Sequence, residues 1–193
     1  MTGLTEMLPP TAVAGRAWRL ILERATVREV LMGAQDNLTN VLAVVLGVTI
    51  GSGRADFIAL AGLSAGIAEA VSMGGVLYNA TRAELRLEAR ATASAARPSA
   101  EPDVRLRPVL SGLVTFAAAL AAGLVPLAPF AVLPVYTAVV VSLLLSIGGL
   151  FTLGALTGRL GGDRWWREGL RLVAVASVAA VAAAAVGAII QVS

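Results

Sequence analysis

Long apolar runs separated by short charged connections dominate the pattern along this chain. Residues 30–53 contain one formal charge, Asp36, and residues 57–78 contain one, Glu69. At 1.5 Å per residue, each run is long enough to cross a hydrocarbon layer about 30 Å thick, which takes about 20 residues. Because only a tight, glycine-rich connection around Gly53 separates them, the two runs predict a helical hairpin in a membrane.

The second half of the chain continues the pattern with three more runs. Residues 108–158 carry no formal charge and are too long for one span, but Pro126, Pro129 and Pro134 cluster where a turn would divide them. The alanine-rich C-terminal run is the last span. We therefore predict an all-α integral membrane protein with five transmembrane helices. The predicted spans are residues 30–51, 57–78, 108–128, 132–157 and 170–191.

Two polar segments flank the first hairpin. Residues 1–29 form a leader in which residues 11–29 mix apolar and charged side chains, typical of a helix that lies at a membrane surface. A solvated helix is the alternative. Residues 79–107 are predicted to form the one long polar loop, which contains a proline break at 98–102.

The distribution of arginine predicts the orientation. In chain order, the six connecting and terminal segments hold four, one, six, zero, four and zero arginines. Because cytoplasmic segments carry the excess of basic residues, this alternation predicts a cytoplasmic N-terminus and a C-terminus on the opposite side. We expect a multi-pass protein of the plasma (inner) membrane if the source is prokaryotic, and of the vacuolar membrane if it is eukaryotic.

Composition supports the membrane assignment and excludes much chemistry. The chain is 58% hydrophobic and 14% charged, with mean hydropathy +0.83, unlike a soluble domain. Cysteine and histidine are absent, which excludes disulfides, histidine metal ligands and His-activated nucleophiles. Residues 62–66 match G-x-S-x-G around Ser64, but no histidine can act as its base. We therefore predict neither an enzyme, nor a resident cofactor, nor a nucleic-acid partner.

The two acids within the spans are the candidate functional residues. Asp in hydrocarbon costs about 2.5–3.5 kcal/mol, so such residues usually persist because function requires them. Counted from the predicted cytoplasmic edge, Asp36 and Met73 lie at equal depth, with Glu69 one turn deeper and Asn40 one turn beyond Asp36. Two carboxylates, an amide oxygen and a thioether suit Fe²⁺ or Mn²⁺ better than Mg²⁺ or Ca²⁺.

Each candidate also has an ordinary structural interpretation. Asp36 could mark a helix start at the headgroup level, if the first span begins near Leu38. Glu69 lies too deep for that, but it could be protonated and hydrogen-bonded within the bundle. Met73 could simply pack between helices.

Small residues at fourfold spacing predict close helix contacts, because helices in lipid associate through close backbone approach. Such pairs are Gly47 with Gly51, Gly62 with Gly66, and Gly154 with Gly158.

The motifs of the first hairpin resemble the vacuolar iron transporter family. They are Gly33-Ala-Gln-Asp36-Asn-Leu-Thr, Ala61-Gly62, and Ser72-Met73-Gly74 followed by Tyr78. Residues 116–130 and 153–160 resemble the third and fourth spans of that family, and the similarity extends over residues 28–190. The loop of residues 79–107 is too short for the glutamate-rich collecting domain of many members, so the chain looks like the short, nodulin-like branch.

The resemblance implies an obligate homodimer that exports Fe²⁺ and often Mn²⁺ from the cytoplasm in exchange for protons. Asp36 and Met73 match the positions that the family uses to bind metal within the membrane. The chain departs from better-known members at Ala65, where they carry glutamate, and at Asn37, where the family has glycine after the aspartate. Glu69, one turn after Ala65, is the expected second ligand or proton-coupling group.

We therefore expect a proton-coupled antiporter of Fe²⁺ or Mn²⁺, with metal ligands Asp36, Met73, Glu69 and Asn40. The alternative is a non-transporting membrane scaffold or partner subunit with a degenerate metal site. In the loop, Glu84 and Glu88 could hold a weakly bound ion, but the interleaved arginines favour a solvated, salt-bridged helix.

Overall fold

Five long α-helices make up the fold. The computed structural model describes residues 24–92 and 102–190, and the side chains of residues 27–90 and 106–190. All five helices contain a segment long and apolar enough to cross a membrane, and no strand occurs within these ranges. The predicted fold class is therefore confirmed. The helices are α1 (Arg24–Ser52), α2 (Ala55–Thr92), α3 (Pro102–Leu124), α4 (Val135–Gly161) and α5 (Trp165–Ile189).

Helix ends differ from the ends of the apolar runs around the predicted polar loop. α2 continues beyond Tyr78 to Thr92, because the following residues are mostly alanine, leucine, arginine and glutamate, which favour helix. α3 begins at Pro102, before the predicted start at Pro108, and proline is well suited to the first helical position. Within the predicted polar loop of residues 79–107, helix therefore occupies residues 79–92 and 102–107, including the helix expected around Glu84 and Glu88, and this leaves residues 93–101. Those residues and nearly all of the predicted leader lie outside the described ranges.

The predicted proline turn does divide the long uncharged run. α3 ends at Leu124, a short 3-10 helix spans Ala128–Ala131, and α4 starts after Pro134. The hydroxyl of Ser142, buried on α4, donates a hydrogen bond of 2.7 Å to the carbonyl oxygen of Pro126. This bond ties the turn to the helix that follows it.

The first helix lies at the centre of the bundle. α1 packs against all four other helices, whereas α2 packs mainly against α1 and α3. Leu38, Val41, Leu42 and Val45 form the buried stripe of α1. α2 consequently leaves one long face outside the protomer's own packing, on which Leu60, Ile67 and Val71 are exposed.

Close backbone contacts set the helix directions. A Cβ atom added to Gly47 would lie 2.9 Å from the carbonyl oxygen of Ala183, and one added to Gly51 would lie 3.2 Å from that of Gly187. α1 and α5 therefore run parallel. A Cβ atom on Gly74 would lie 2.9 Å from the carbonyl oxygen of Gly112, where α2 and α3 pack antiparallel.

The predicted small-residue pairs all lie at such contacts. Gly62 packs against Leu127 and Gly66 against Val41, while Gly154 and Gly158 both pack against the start of α5. Their role in helix packing is thus confirmed.

Alternating helix directions collect the positive charge at one end of the bundle. We call this the arginine-rich end, and it is the end predicted to be cytoplasmic. Arg54 lies at the opposite end, where it pairs with Asp56 at 2.6 Å and stacks over Phe57 at 4.3 Å. The Asp56 carboxylate raises the pKa of Arg54 through this hydrogen bond. The arginines at the arginine-rich end whose side chains are described are Arg28, Arg82, Arg86, Arg90, Arg107, Arg159, Arg164, Arg167 and Arg171.

Candidate metal-binding site

Asp36 on α1 and Glu69 on α2 are neighbouring acids at the contact between these two helices. Asp36 is the tenth residue of the candidate span Val27–Ser52, about 14 Å along the helix from its start. Its side chain is exposed on the protomer, and that of Glu69 is half-buried. The two acids interact electrostatically, and no basic group of the described chain contributes to the environment of Asp36. Among the described residues, the two acids therefore share one site without a basic partner.

Met73 lies one helical turn nearer to the arginine-rich end than Asp36. A Cβ atom on Gly33 would lie 3.8 Å from the Met73 Cβ and 3.5 Å from its Cε, so Met73 is opposite Gly33 rather than Asp36. The predicted equal depth of Asp36 and Met73 is thus wrong by one turn, and Glu69 is the residue beside Asp36. Counting residues from the ends of the apolar runs gave the wrong depth for Met73. The reason is that α2 extends beyond its apolar run, and the packing of α1 against α2 sets their register.

Asn40 is exposed one turn beyond Asp36, on the same face of α1. No group of three or more acidic residues occurs within the described ranges. A metal ion between Asp36 and Glu69 would thus take its remaining ligands from Met73, from Asn40, from water or from a second copy of the chain. The role of the two acids as ligands, like the rest of the ligand set, stays a prediction.

Asn37 is a structural residue that sequence analysis treated only as a departure from the family pattern. Its side chain is fully buried, and its Nδ2 donates hydrogen bonds to the carbonyl oxygens of Gly66 on α2 (3.0 Å) and Ala119 on α3 (2.8 Å). One amide therefore joins three helices. The sequence did contain a signal for this role. Asn37 lies four residues from both Gly33 and Val41, so the three residues share one face of α1, and that face is buried.

A glycine on α3 makes room for this amide. A Cβ atom on Gly123 would lie 2.7 Å from Asn37 Nδ2 and 3.0 Å from its Oδ1. A side chain at residue 123 would thus displace Asn37. The fit explains how the bundle accommodates a buried amide at residue 37.

The two hydrogen bonds of the Asn37 side chain, which we call the Asn37 lock, also fix the direction in which the Asp36 side chain points. Adjacent residues of an α-helix are about 100° apart around the axis, at 3.6 residues per turn. Because Asn37 is anchored inward between α2 and α3, Asp36 is turned outward to the edge of the α1–α2 contact, where Glu69 lies. Asn37 thus positions the candidate metal site without belonging to it.

Comparison with known proteins agrees with this architecture. The sequence model of the VIT family matches residues 27–101 and 90–188, which together cover most of the chain and include Asp36, Glu69 and Met73. A search of curated proteins finds no match. VIT proteins are membrane transporters of metal ions rather than enzymes. The chain belongs to the VIT family, the family of vacuolar iron transporters.

Proposed function

We propose that this chain exports Fe²⁺ or Mn²⁺ from the cytoplasm and exchanges it for protons. The observation that supports the proposal is the pair formed by Asp36 and Glu69, two acids from different helices that interact within the membrane-spanning region, with no basic partner in the part of the chain that the structure describes. Such a pair is unfavourable unless a proton or a cation neutralises it. A divalent metal ion between the two carboxylates would do so.

The same electrostatics supply a mechanism for exchange. Without metal, repulsion and the low dielectric of the membrane favour a proton on one of the two acids. An arriving cation favours the ionised form and displaces that proton. We assign the proton-coupling role to Glu69, because it is the more buried of the two side chains.

Ligand chemistry favours a borderline divalent ion. Carboxylate and amide oxygens at Asp36, Glu69 and Asn40 suit hard and borderline cations, whereas the thioether of Met73 favours softer ones. Fe²⁺ and Mn²⁺ satisfy the combination best. Met73 lies one turn closer to the arginine-rich end, so in our proposal it contacts the ion first on the way to the two acids.

A homodimer is part of the proposal, because the site is incomplete in a single protomer. The charged side chain of Asp36 and the amide of Asn40 are exposed on the protomer surface within the membrane-spanning region. Exposure of these groups to lipid is costly. The adjoining face of α2 is open along its length, and its small residues Ser64, Ala68 and Gly75 would allow a second copy to approach closely.

Metal uptake into proteoliposomes tests the function directly. We expect uptake of Fe²⁺ and Mn²⁺, with less of Co²⁺ and Zn²⁺ and little of Ca²⁺. Asp36→Asn should lower the rate at least about tenfold, equivalent to ~1.4 kcal/mol at the barrier. Asp56→Asn removes the same charge at the opposite end of the bundle and should leave the rate unchanged.

Proton release measured in the same vesicles separates the two acids. Glu69→Gln should reduce the number of protons moved per metal ion more than it reduces metal binding. Unchanged coupling in Glu69→Gln would refute its proton-coupling role. Absence of metal uptake by the folded wild-type protein would refute transport and favour the scaffold alternative.

A further inference from the structure

A polar cavity at the arginine-rich end has no role in the proposed transport of metal. It has a volume of about 560 Å³ and opens where the start of α1 meets the junction of α4 and α5. Four charged residues line it, with Thr157 beside them: Arg28, Asp163, Glu168 and Arg171. None of them belongs to the pair of acids or to the other candidate metal ligands.

A second cavity of about 330 Å³ continues from the first along the groove between α1 and α5. It shares Arg28, Glu168 and Arg171 with the first cavity. The rest of its lining is mixed: Met32, Gly154, Leu172 and Val175 are apolar, Gln35 and Thr157 are polar, and Met32 and Val175 are exposed on the protomer surface. The combined groove is therefore charged at the end of the bundle, and towards the middle of the membrane its lining is mainly apolar, with the amide of Gln35 among the apolar groups.

Arg171 occupies an unusual position in this groove. It is the seventh residue of α5, about 9 Å of helix beyond its first residue, Trp165, and its side chain is 76% exposed. A cation on the lipid-facing side of a span requires an anionic partner or access to the headgroups. Its only ion pair within the described residues is a long one, 3.7 Å from its Nη1 to Glu168 Oε2.

Two of the neighbouring arginines stack over aromatic rings. The guanidinium of Arg159 lies 5.6 Å from the ring of Trp165, and that of Arg167 lies 5.2 Å from the ring of Trp166. Tryptophans at this level are typical of the membrane interface. The groove thus lies at the depth of phospholipid headgroups, with Arg28 and Arg171 turned into it.

The charges of the lining define the class of ligand. Two arginines and two acids give a net formal charge of zero, with both signs present in one cavity. A headgroup with only negative charge would be attracted by the arginines and repelled by Asp163 and Glu168. A headgroup that carries a phosphate and an ammonium satisfies both pairs, because guanidinium groups bind phosphate and carboxylates accept hydrogen bonds from a primary ammonium.

We propose that this groove binds one phospholipid whose headgroup joins a phosphate to a primary ammonium, as in phosphatidylethanolamine. Arg28 and Arg171 bind the phosphate, Asp163 and Glu168 bind the ammonium, and an acyl chain lies along Leu172 and Val175. The bound lipid would also fill the space between α1 and α5. Its headgroup would connect these two helices at the arginine-rich end.

Competitive lipid binding tests the proposal on the full-length protein. Delipidated protein is mixed with equal amounts of phosphatidylethanolamine, phosphatidylcholine and phosphatidylglycerol, and the lipid retained per protomer is measured by native mass spectrometry. We expect at least about a tenfold preference for phosphatidylethanolamine over each of the others. Phosphatidylcholine has the same charges but no ammonium hydrogen, and phosphatidylglycerol has the phosphate but no ammonium.

Paired variants assign the two halves of the headgroup. Arg28→Gln with Arg171→Gln should abolish retention of all three lipids, whereas Asp163→Asn with Glu168→Gln should preserve retention but remove the preference for phosphatidylethanolamine over phosphatidylglycerol. Arg54→Gln with Asp56→Asn, at the opposite end, is the matched control and should change nothing. Free phosphoethanolamine should not compete at the concentrations at which the lipid binds, because it lacks the acyl chains.

Three results would overturn the assignment. They are equal retention of the three lipids by the wild-type protein, retention unaffected by the paired arginine variant, and displacement of the lipid by free phosphoethanolamine. Should a paired variant fail to fold, the wild-type preference among the three lipids still decides the question. The test is independent of metal transport, since it uses no metal ion.

Discussion

Asn37 on α1 donates a hydrogen bond of 3.0 Å to the carbonyl oxygen of Gly66 on α2. A second bond from the same amide nitrogen reaches α3, so the side chain links α1, α2 and α3, the first two of which carry the candidate metal site. Glycine at residue 66 leaves the helix surface open to the amide. A polar residue inside an apolar bundle is thus used to fix how α1 is rotated, which in turn sets the position of the neighbouring acid, Asp36.

Replacement of Asn37 by leucine should destabilise the bundle. Hydrogen bonds between membrane helices contribute about 0.6 kcal/mol on average and up to about 1.7, so loss of two bonds should lower the free energy of unfolding by about 1–3 kcal/mol. Unfolding measured in detergent or bicelles gives this value. Asn40→Leu is the matched control, because Asn40 is exposed and has no hydrogen bond among those of the described residues. Equal effects of the two substitutions would contradict the proposed lock.

A second prediction concerns close helix packing at Gly74. Gly74→Ala places a methyl group 2.9 Å from the carbonyl oxygen of Gly112, so α2 and α3 must move apart, and we expect a loss of about 1–3 kcal/mol. Gly148→Ala on α4 is the control, because no atom lies within 4 Å of its added Cβ. It should leave the free energy of unfolding unchanged or raise it by up to about 1 kcal/mol, since alanine favours helix.

Met73 should influence metal selectivity more than stability. Met73→Leu conserves volume where the side chain packs against Gly33, so it should lower the free energy of unfolding by less than about 1.5 kcal/mol. Loss of the thioether should decrease transport of Fe²⁺ relative to Mn²⁺ by about threefold to tenfold, or ~0.7–1.4 kcal/mol. Competition between the two ions in proteoliposomes measures the ratio. A ratio that does not change would leave Met73 a packing residue.

The open face of α2 should control assembly. Ala68→Trp introduces a bulky side chain at an exposed position of this face and should convert the proposed homodimer to a monomer. Ala174→Trp on the exposed face of α5 is the control and should leave the dimer intact. The mass of the protein in detergent, from light scattering, distinguishes the two states. A dimer that persists in Ala68→Trp would place the subunit contact elsewhere.

Local sequence patterns predicted the helices but not their exact ends. The apolar runs define five spans because the thickness of the hydrocarbon layer sets a minimum length for each. The three prolines of residues 126–134 separate the third span from the fourth. α2 nevertheless extends to Thr92, since an amphiphilic stretch of good helix formers can continue beyond the membrane.

The candidate site shows the same division between local and long-range information. Asp36 and Glu69 were identifiable as rare charges within apolar runs, whereas their pairing depended on the register of α1 against α2. That register follows from contacts such as Gly33 with Met73 and Asn37 with Gly66. Counting residues inward from the predicted ends of the two spans could not reveal this register.

By itself, the sequence determined that this protein crosses a membrane five times, that two acids must lie within those spans, and to which family it belongs. These conclusions depend on the chemistry of each segment and on the order of its motifs. Only the tertiary structure decided that Glu69 rather than Met73 lies beside Asp36, and that Asn37 joins three helices. It also brought Arg28 and Arg171, far apart in the chain, to one groove. Apolar side chains in lipid do not specify their neighbours, so backbone approach at glycines and buried hydrogen bonds set the arrangement.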